Sequence, residues 1–252
     1  MIERNKKILE TFRINENAKY FLTKYFSYCP YNGMQYELNQ TQQHFLKLLT
    51  SKEQEVNVIA SRQRGTTSTM IEYAFWDAFL TGRTHRTNVL ILPVLSHIGQ
   101  VRDILYNSME LARDDILENT GMDIMDMVSI TEKGVKDKKC NSIIFGSVGT
   151  LATSLRGKHI STLYMDNTWM RKGSAYENDI ATMNVARMVG TRIVMLQTGL
   201  FGDIPSYVEE QPNVVLLPDI INENYTISRE EDYINKIGAK QFAQEYLLQR
   251  IP

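Results

Sequence analysis

Residues 56–71 read Val-Asn-Val-Ile-Ala-Ser-Arg-Gln-Arg-Gly-Thr-Thr-Ser-Thr-Met-Ile, and this stretch decides the fold. Its first part, Val56–Ile59, is a short apolar run that predicts a β-strand. A polar turn that contains a glycine, Arg62–Gly65, follows the strand. From Thr67 onward, apolar residues recur at spacings of three and four, which predicts a helix with one buried face. The stretch therefore predicts a strand, a glycine turn and a helix start in direct succession.

This succession is typical of a P-loop, in which backbone N–H groups and the helix dipole hold a phosphate. The P-loop pattern is Gly-x-x-x-x-Gly-Lys-Ser/Thr, and residues 60–67 read Ala-Ser-Arg-Gln-Arg-Gly-Thr-Thr. The second glycine, Gly65, and the magnesium-binding hydroxyl, Thr67, are present. Ala60 replaces the first glycine, and Thr66 replaces the lysine. On this pattern alone, a phosphate site and an ordinary strand–turn–helix connection are both open.

Composition indicates an ordinary globular protein. A chain of 252 residues with 43% hydrophobic and 23% charged residues can bury an ample core. Lys plus Arg is 28 and Asp plus Glu is 29, so any DNA contact needs a local basic patch. The two cysteines, Cys29 and Cys140, and the four scattered histidines fit no zinc spacing. Because the sequence contains neither a signal peptide nor an apolar run of membrane length, we expect reduced thiols in a cytosolic protein.

Apolar strand-like runs alternate with helical patterns from residue 56 to residue 217. This alternation predicts an α/β fold with a mostly parallel sheet that is flanked by helices. We expect three parts in the chain. They are an N-terminal helical segment (1–35), a P-loop core (36–217) and a C-terminal helical closing segment (218–252).

Two local predictions concern the ends of this core. Helical patterns near the N-terminus predict two helices, with Asn15 as the N-cap of the second. Residues 127–131 and 142–146 predict the two strands of one hairpin. The charged segment between them, 132–139, is either a solvated tip or a loop that faces DNA.

Polar residues follow two of the apolar runs. In parallel sheets, ligands bind beyond the carboxyl ends of the strands. The run Leu163–Met165 ends in Asp166, which is the Walker B arrangement, whose carboxylate holds Mg²⁺ opposite the P-loop hydroxyl. A later run ends in Gln197-Thr198-Gly199. We therefore expect Thr67 and Asp166 to meet in one crevice.

The ordered motifs resemble the motor ATPase domain of the large terminase subunit of tailed phages, particularly the T4-like type. The family's P-loop, Ser-Arg-Gln-x-Gly-Lys-Thr, matches residues 61–67 apart from the lysine. Its adenine-binding segment, Leu-x-x-x-Gln-x-x-x-Leu, matches residues 38–46. Its Arg-Gly step before Walker B matches Arg156-Gly157. The resemblance spans about residues 36–250 and rests on the order and spacing of these motifs.

The resemblance implies ATP and Mg²⁺ as ligands and assigns roles to individual residues. The implied nucleotide-binding residues are Gln42, Ser61, Arg62, Gln63, Arg64, Gly65, Thr66 and Thr67. The implied metal ligands are Thr67 and Asp166. The implied catalytic residues are Arg62, Asp166, Asn167 and Arg156, of which Arg156 reaches the nucleotide of a neighbouring subunit. The implied coupling residues are Thr198 and Gly199.

The resemblance also implies partners and a location. They are double-stranded DNA, the phage portal, the small terminase subunit and further copies of the chain in a ring, in the host cytoplasm. Large terminases continue into a nuclease domain with an acidic metal cluster. Because no such cluster is left near the end of this sequence, we expect no DNA cleavage.

Two departures from the family pattern fall on the chemistry. Thr66 cannot supply the lysine charge, and Asn167 stands where the family has a catalytic glutamate. An asparagine can orient a water but cannot accept its proton. Each loss typically lowers the rate by about 10²-fold or more. Arg62 or Arg64 could replace the lysine, and terminases with an early loop cation favour Arg62.

Two functions therefore stay open at this stage. The first is a packaging ATPase module whose hydrolysis is impaired. The second is a non-catalytic terminase-like assembly or regulatory subunit that binds nucleotide weakly or not at all. A helicase is less well supported, since the Arg-Gln pair in the loop and the Arg-Gly step are not general helicase features.

Overall fold

The computed structural model describes residues 2–28, 33–92, 97–147, 159–167, 181, 183–199, 213–222 and 226–248. Its helices are α1 (Ile2–Glu16), α2 (Ala18–Lys24), α3 (Gln40–Leu49), α4 (Thr66–Phe79), α5 (His97–Thr120), α6 (Ile124–Met127), α7 (Ile227–Ile237) and α8 (Ala239–Glu245). Its strands are β1 (Glu55–Ala60), β2 (Thr87–Leu92), β3 (Val128–Thr131), β4 (Gly134–Asp137), β5 (Ser142–Ser147), β6 (Thr162–Asp166), β7 (Arg192–Thr198) and β8 (Val214–Leu217). Residues 183–188 are also helical.

The strands form one eight-stranded sheet in the order β3-β4-β5-β2-β6-β7-β1-β8. All neighbouring strands from β5 to β8 in this order pair in parallel, whereas β4 pairs antiparallel with both β3 and β5. The predicted α/β fold with a mostly parallel sheet is confirmed. Because the six parallel strands point the same way, their carboxyl ends share one edge of the sheet, with the end of β7 between those of β1 and β6.

The central strands consist mostly of buried apolar residues because both faces of the sheet are covered. On β1, Val58 packs into a cluster with helices α1 to α5, and its neighbour Ile59 packs into a second cluster on the other face. The second cluster includes Met183 and Leu248. Successive strand residues point to opposite faces, so each continuous apolar run serves two cores.

The N-terminal helices begin and end differently from the prediction. Asn15 lies inside α1, and the N-cap of α2 is Asn17, whose side chain accepts a hydrogen bond from the backbone N–H of Tyr20 at 2.9 Å. Asn17 has the extended conformation (φ −136°, ψ 94°) that an N-cap requires. The prediction of Asn15 as the cap was therefore wrong.

The predicted hairpin of residues 127–131 and 142–146 is also wrong, because a third strand, β4, lies between β3 and β5. Val135 on β4 is fully buried and anchors this strand in an otherwise charged segment. Gly134 allows the close approach to β5, since a Cβ at this position would lie 1.9 Å from the carbonyl oxygen of Ile143. The charged segment 132–139 is therefore divided between a tight turn at one end of β4 and a second turn at the other end.

The proposed division at residues 35 and 217 stays a prediction. The N-terminal segment packs closely on α4, with the rings of Phe26, just after α2, and Phe75 5.8 Å apart. Among the described residues, no helix combines the length and the apolar character that a membrane span needs.

A buried carboxyl group on α4 makes the stability of the fold depend on pH. Glu72 is fully buried and accepts a hydrogen bond from the hydroxyl of Ser108 on α5 at 3.0 Å. Burial raises the pKa of Glu72 from 4.5 to about 8, and the Ser108 hydrogen bond lowers it only in part. The folded chain therefore keeps a proton that the unfolded chain releases near pH 4.5. Stability falls as the pH rises from about 4.5 to about 8.

Replacing the carboxyl by an amide (Glu72→Gln) should remove this loss and keep the acceptor for Ser108. We expect the free energy of unfolding of the variant to exceed that of the wild type by a margin that grows with pH, at up to about 1.4 kcal/mol per pH unit. Urea denaturation between pH 5 and pH 8 measures this margin. The exposed Glu118 of α5 gives the matched control, Glu118→Gln, for which no growing margin is expected. Parallel stability curves for wild type and Glu72→Gln would contradict the prediction.

Candidate functional site

The N-terminus of α4 differs from those of α2, α3 and α6 in having no side-chain cap. Those three helices are capped by Asn17, Asn39 and Asp123, whereas the N-cap of α4 is Gly65, which forms no side-chain cap hydrogen bond. The first N–H groups of a helix carry a partial positive charge and bind anions when no side chain caps them. The loop between β1 and α4 therefore ends at a position suited to a phosphate.

Gly65 is required at this position for two reasons. Its φ of +72° lies in the left-handed region, which residues with a side chain adopt at a cost. In addition, a Cβ on Gly65 would lie 2.8 Å from the amide nitrogen of Gln42. The glycine of the P-loop pattern thus allows α3 to pack directly against the loop.

Thr67 and Asp166 meet at the carboxyl edge of the sheet, as the sequence predicts. The hydroxyl of Thr67 in the first turn of α4 donates to Oδ1 of Asp166, which ends β6, at 3.2 Å. Asp166 is only 5% exposed, and burial raises its pKa to about 7, although hydrogen bonds from Thr67 and Asn167 lower it. The crevice therefore contains a buried carboxyl group whose loss of hydration is only partly offset by hydrogen bonds. A cation would stabilise its charged form.

Asn167 connects Asp166 to the end of β7. Its Nδ2 donates to Oδ1 of Asp166 at 2.8 Å, and its Oδ1 accepts from both the backbone N–H and the hydroxyl of Thr198, each at 2.8 Å. Asn167 has a φ of +50°, a conformation that asparagine tolerates better than most residues. The N–H of Gly199 donates to the carbonyl of Ala60 at 2.8 Å. The ends of β6, β7 and β1 are thus joined through three consecutive contacts.

The two loop arginines have different environments. The guanidinium of Arg62 donates to the carboxylate of Glu245 at 3.1 Å, and the Arg62 side chain is 43% exposed. Arg64 forms an ion pair with Asp219, in which the side chains are 9% and 1% exposed. Arg64 is therefore fixed below the loop, whereas Arg62 lies at the surface of the crevice.

The C-terminal segment also contacts the backbone of the loop and its glutamine. The N–H groups of Ser61 and Arg62 donate to the carbonyl oxygens of Leu217 and Glu245, at 3.0 and 3.1 Å. The hydroxyl of Tyr246 donates to the side-chain oxygen of Gln63 at 3.3 Å. Leu217, Glu245 and Tyr246 thus form one wall of the loop.

Gln42 lies beneath the loop, and both ends of its amide have protein partners. Its Oε1 accepts from the backbone N–H of Asn39 at 3.0 Å, and its Nε2 donates to the hydroxyl of Thr69 at 3.2 Å. The side chain is 3% exposed. An adenine contact, which stays a prediction, would require Gln42 to leave these partners.

The remaining predicted site residues are placed as follows. Thr66, at the lysine position, is 2% exposed, so its side chain adds no polar group to the surface of the crevice. Arg156 lies outside the described residues. Asp219, Glu245 and Tyr246 were missed as loop partners, because contacts over such long separations leave no local pattern in the sequence.

The donor set fits a magnesium ion held in part by phosphate. Thr67 and Asp166 supply a hydroxyl and a carboxylate oxygen, which are donors that Mg²⁺ prefers. Within the described ranges, no group of three or more His, Cys, Asp or Glu could hold a metal without further ligands. A metal ion here would therefore complete its coordination with phosphate oxygens and water.

The bridge through Asn167 can be tested with a double-mutant cycle. Asn167→Ala and Thr198→Val remove the two sides of the same hydrogen bond, so their effects on the free energy of unfolding should not add. We expect a coupling energy of about 1 kcal/mol from urea denaturation.

Thr191 offers a matched control for this cycle. Its hydroxyl donates to the carbonyl of Ile160 at 3.0 Å and takes no part in the bridge. The effects of Asn167→Ala and Thr191→Val should add. Additive effects for Asn167 and Thr198 would mean that the bridge does not contribute to stability.

The chain was compared with known proteins by sequence and by structure. Comparison with protein-family models gave no match, and comparison with curated proteins also gave none. Solved structures do match. The HK97 bacteriophage large terminase aligns with a TM-score of 0.63 at 14% identity over 95% of this chain and 55% of that protein.

Two further structures are similar. The large terminase ATPase domain of Thermus phage P74-26 aligns with a TM-score of 0.56 at 14% identity, over 82% of this chain and 92% of that domain. The large terminase of another thermophilic bacteriophage, in complex with ATP-γ-S, aligns with a TM-score of 0.52 at 10% identity, over 83% of this chain and 52% of that protein. The chain thus spans about half the length of the HK97 protein and of the terminase with bound ATP-γ-S. We conclude that it has the fold of the ATPase domain of phage large terminases.

Proposed function

We propose that this chain is the ATPase module of a phage DNA-packaging terminase and that it binds ATP with Mg²⁺ at residues 60–67 and Asp166. The contact between Thr67 and Asp166, at the uncapped start of α4, is the observation that carries the proposal. It brings the two oxygen donors of a Walker-type metal site to one edge of a parallel sheet. The fold shared with terminase ATPase domains supports it, and the T4-like type stays a prediction.

Each part of the crevice has a role in this proposal. The first N–H groups of α4 bind the β- and γ-phosphates, and the hydroxyl of Thr67 and the carboxylate of Asp166 hold the metal ion. The metal ion, when bound, neutralises phosphate charge. Arg62 supplies the cation that Thr66 lacks, because its own side chain is 43% exposed, so that only the carboxylate of Glu245 would be left buried when Arg62 turns to a phosphate. Arg64 would have to abandon Asp219, so Arg62 is the better candidate.

We further propose that hydrolysis is impaired. The amide of Asn167 donates to Asp166 and accepts twice from Thr198, so its oxygen is occupied before any water binds. An amide also cannot accept the proton of an attacking water. The module therefore binds nucleotide but hydrolyses it slowly.

Coupling and partners follow from the same assignment. Binding of the metal ion to Asp166 would change the hydrogen bond between Asp166 and Asn167. Through Asn167, the change would reach Thr198 and Gly199. The partners are double-stranded DNA, the phage portal, the small terminase subunit and further copies of the chain in a ring, in the host cytoplasm. In that ring, Arg156 would contact the neighbouring nucleotide.

A second candidate, a non-catalytic terminase-like subunit, is favoured by one specific observation. Glu245 neutralises Arg62, the accessible cation of the loop. If phosphate cannot displace this carboxylate, the module binds nucleotide weakly or not at all and acts through its contacts with other subunits.

Calorimetric titration with Mg·ATP separates the two candidates. We expect saturable binding that Arg62→Gln weakens by roughly 10- to 100-fold, since hydrogen bonds to charged groups contribute about 1.5–3 kcal/mol. Glu245→Gln should tighten binding by about fivefold or more, because it removes a competing carboxylate that is 5% exposed and would otherwise be left buried without its partner.

Arg113 gives the matched control for Arg62. Its side chain is 47% exposed and is paired with Asp123, away from the loop. Arg113→Gln should leave the titration unchanged. No binding by the wild type or by Glu245→Gln would exclude the ATPase proposal and favour the non-catalytic subunit.

Restoring the lysine of the P-loop pattern and the glutamate of the family pattern tests whether their absence impairs hydrolysis. The double change Thr66→Lys with Asn167→Glu should produce hydrolysis well above that of the parent, by about 10²-fold or more. Phosphate release with excess DNA measures it, and the same double change combined with Asp166→Ala is the background. The glutamate must adopt the positive φ of Asn167, so a melting curve should accompany each assay. A folded double variant that binds Mg·ATP and shows only background release would refute a decayed ATPase site.

A further inference from the structure

Four exposed basic side chains lie far from the proposed nucleotide site. Arg83 lies in the turn before β2, Lys136 lies on β4, and Lys138 and Lys139 lie in the turn before β5. We call these four residues the basic turn pair, after the two turns that carry Arg83, Lys138 and Lys139. They lie near the amino ends of β2 and β5, whereas the phosphate loop follows the carboxyl end of β1, which runs parallel to them. A six-residue strand such as β2 separates the two edges by about 20 Å.

Hydrogen bonds hold the two turns together as one surface. Asn141 is 1% exposed, and its Nδ2 donates to the carbonyl of Arg83 at 3.0 Å, while its Oδ1 accepts from the N–H of Arg86 at 2.8 Å. The N–H of His85 donates to the carbonyl of Lys139 at 3.4 Å. The backbone that carries the basic side chains is therefore ordered before any ligand binds, which lowers the entropy cost of binding.

The four positive charges of the basic turn pair outnumber the acid that lies among them, Asp137. Within the described residues, none of its four members forms an ion pair. The acid in the second turn, Asp137, accepts from the N–H groups of Lys139 and Asn141 and from Nδ2 of Asn141, each at 2.8 Å, so it shapes the turn. The neighbouring Arg86, by contrast, is paired with the buried Asp77. The surface is therefore locally positive on a chain of net charge −1.

We propose that the basic turn pair binds the phosphate backbone of double-stranded DNA. This deepens the proposed function, on which it rests for the choice of DNA as the polyanion, by naming the surface that the DNA contacts. The segments 81–86 and 132–141 contain no Phe, Tyr or Trp, so they offer no platform on which single-stranded bases stack. They also expose no large apolar side chain that could insert into a lipid surface. Point charges on fixed turns suit the regular phosphates of a duplex.

The test is a fluorescence anisotropy titration of a labelled duplex with the full chain, without nucleotide, at several salt concentrations. The variant Arg83→Ala/Lys138→Ala/Lys139→Ala should bind more weakly, by roughly tenfold for each lost phosphate contact at 0.1 M salt. The slope of log K against log salt should fall by about 0.9 for each contact. The control variant Lys6→Ala/Lys47→Ala/Lys52→Ala loses the same charge from exposed positions elsewhere and should keep most of the affinity and slope.

Three results would overturn the proposal. They are no duplex binding by the wild type at low salt, an unchanged salt slope in the first variant, and an equal loss in both variants. Stronger competition by a single strand than by a duplex would overturn the choice of duplex DNA. The Mg·ATP titration is run on the same samples. If DNA binding depends on the basic turn pair but nucleotide does not bind, the ATPase proposal alone is excluded. If nucleotide binds but DNA binding does not depend on the basic turn pair, the DNA surface alone is excluded.

Discussion

The arrangement of the crevice depends on one buried carboxyl group, that of Asp166. Burial makes its charged form unfavourable, and its two hydrogen-bond donors, Thr67 and Asn167, come from different elements. Because these donors must stay close to Asp166, the start of α4 and the end of β6 keep a fixed relation across β7. A cation at the same place would satisfy the carboxylate more fully. The observed geometry is therefore held together by hydrogen bonds that a metal ion would compete with.

The loop arginines show how burial separates two chemically identical side chains. Arg64 and Asp219 are both nearly inaccessible, and breaking such a pair leaves an uncompensated buried charge at a cost of about 3–5 kcal/mol. In the pair of Arg62 and Glu245, the arginine is 43% exposed and the carboxylate is 5% exposed, so breaking this pair leaves only one buried charge. Exchange of a carboxylate for a phosphate is therefore less costly at Arg62 than at Arg64. The C-terminal segment thus stabilises one side of the loop and leaves the other side exchangeable.

Local patterns were enough to predict the central fold but not the contacts that close the site. The strand, turn and helix around Gly65 follow from apolar spacing, and the meeting of Thr67 with Asp166 follows from the common direction of parallel strands. The strand β4 was missed because Val135 is its one fully buried apolar side chain, among charged neighbours. The ion pair of Arg62 with Glu245 joins residues 183 positions apart, and no periodicity encodes such a separation.

Asn167 is the residue at which the proposed loss of hydrolysis and the proposed coupling would have the same physical cause. A glutamate at this position would carry a charge next to Asp166 and could not donate to it. The asparagine donates to Asp166 and accepts from Thr198, so it joins the candidate metal ligand to the end of β7. The same amide that cannot act as a general base therefore forms a continuous hydrogen-bonded path from the crevice into the sheet. A module built in this way would respond to nucleotide binding itself, and the turnover of nucleotide would be less important for its effect on the neighbouring strands.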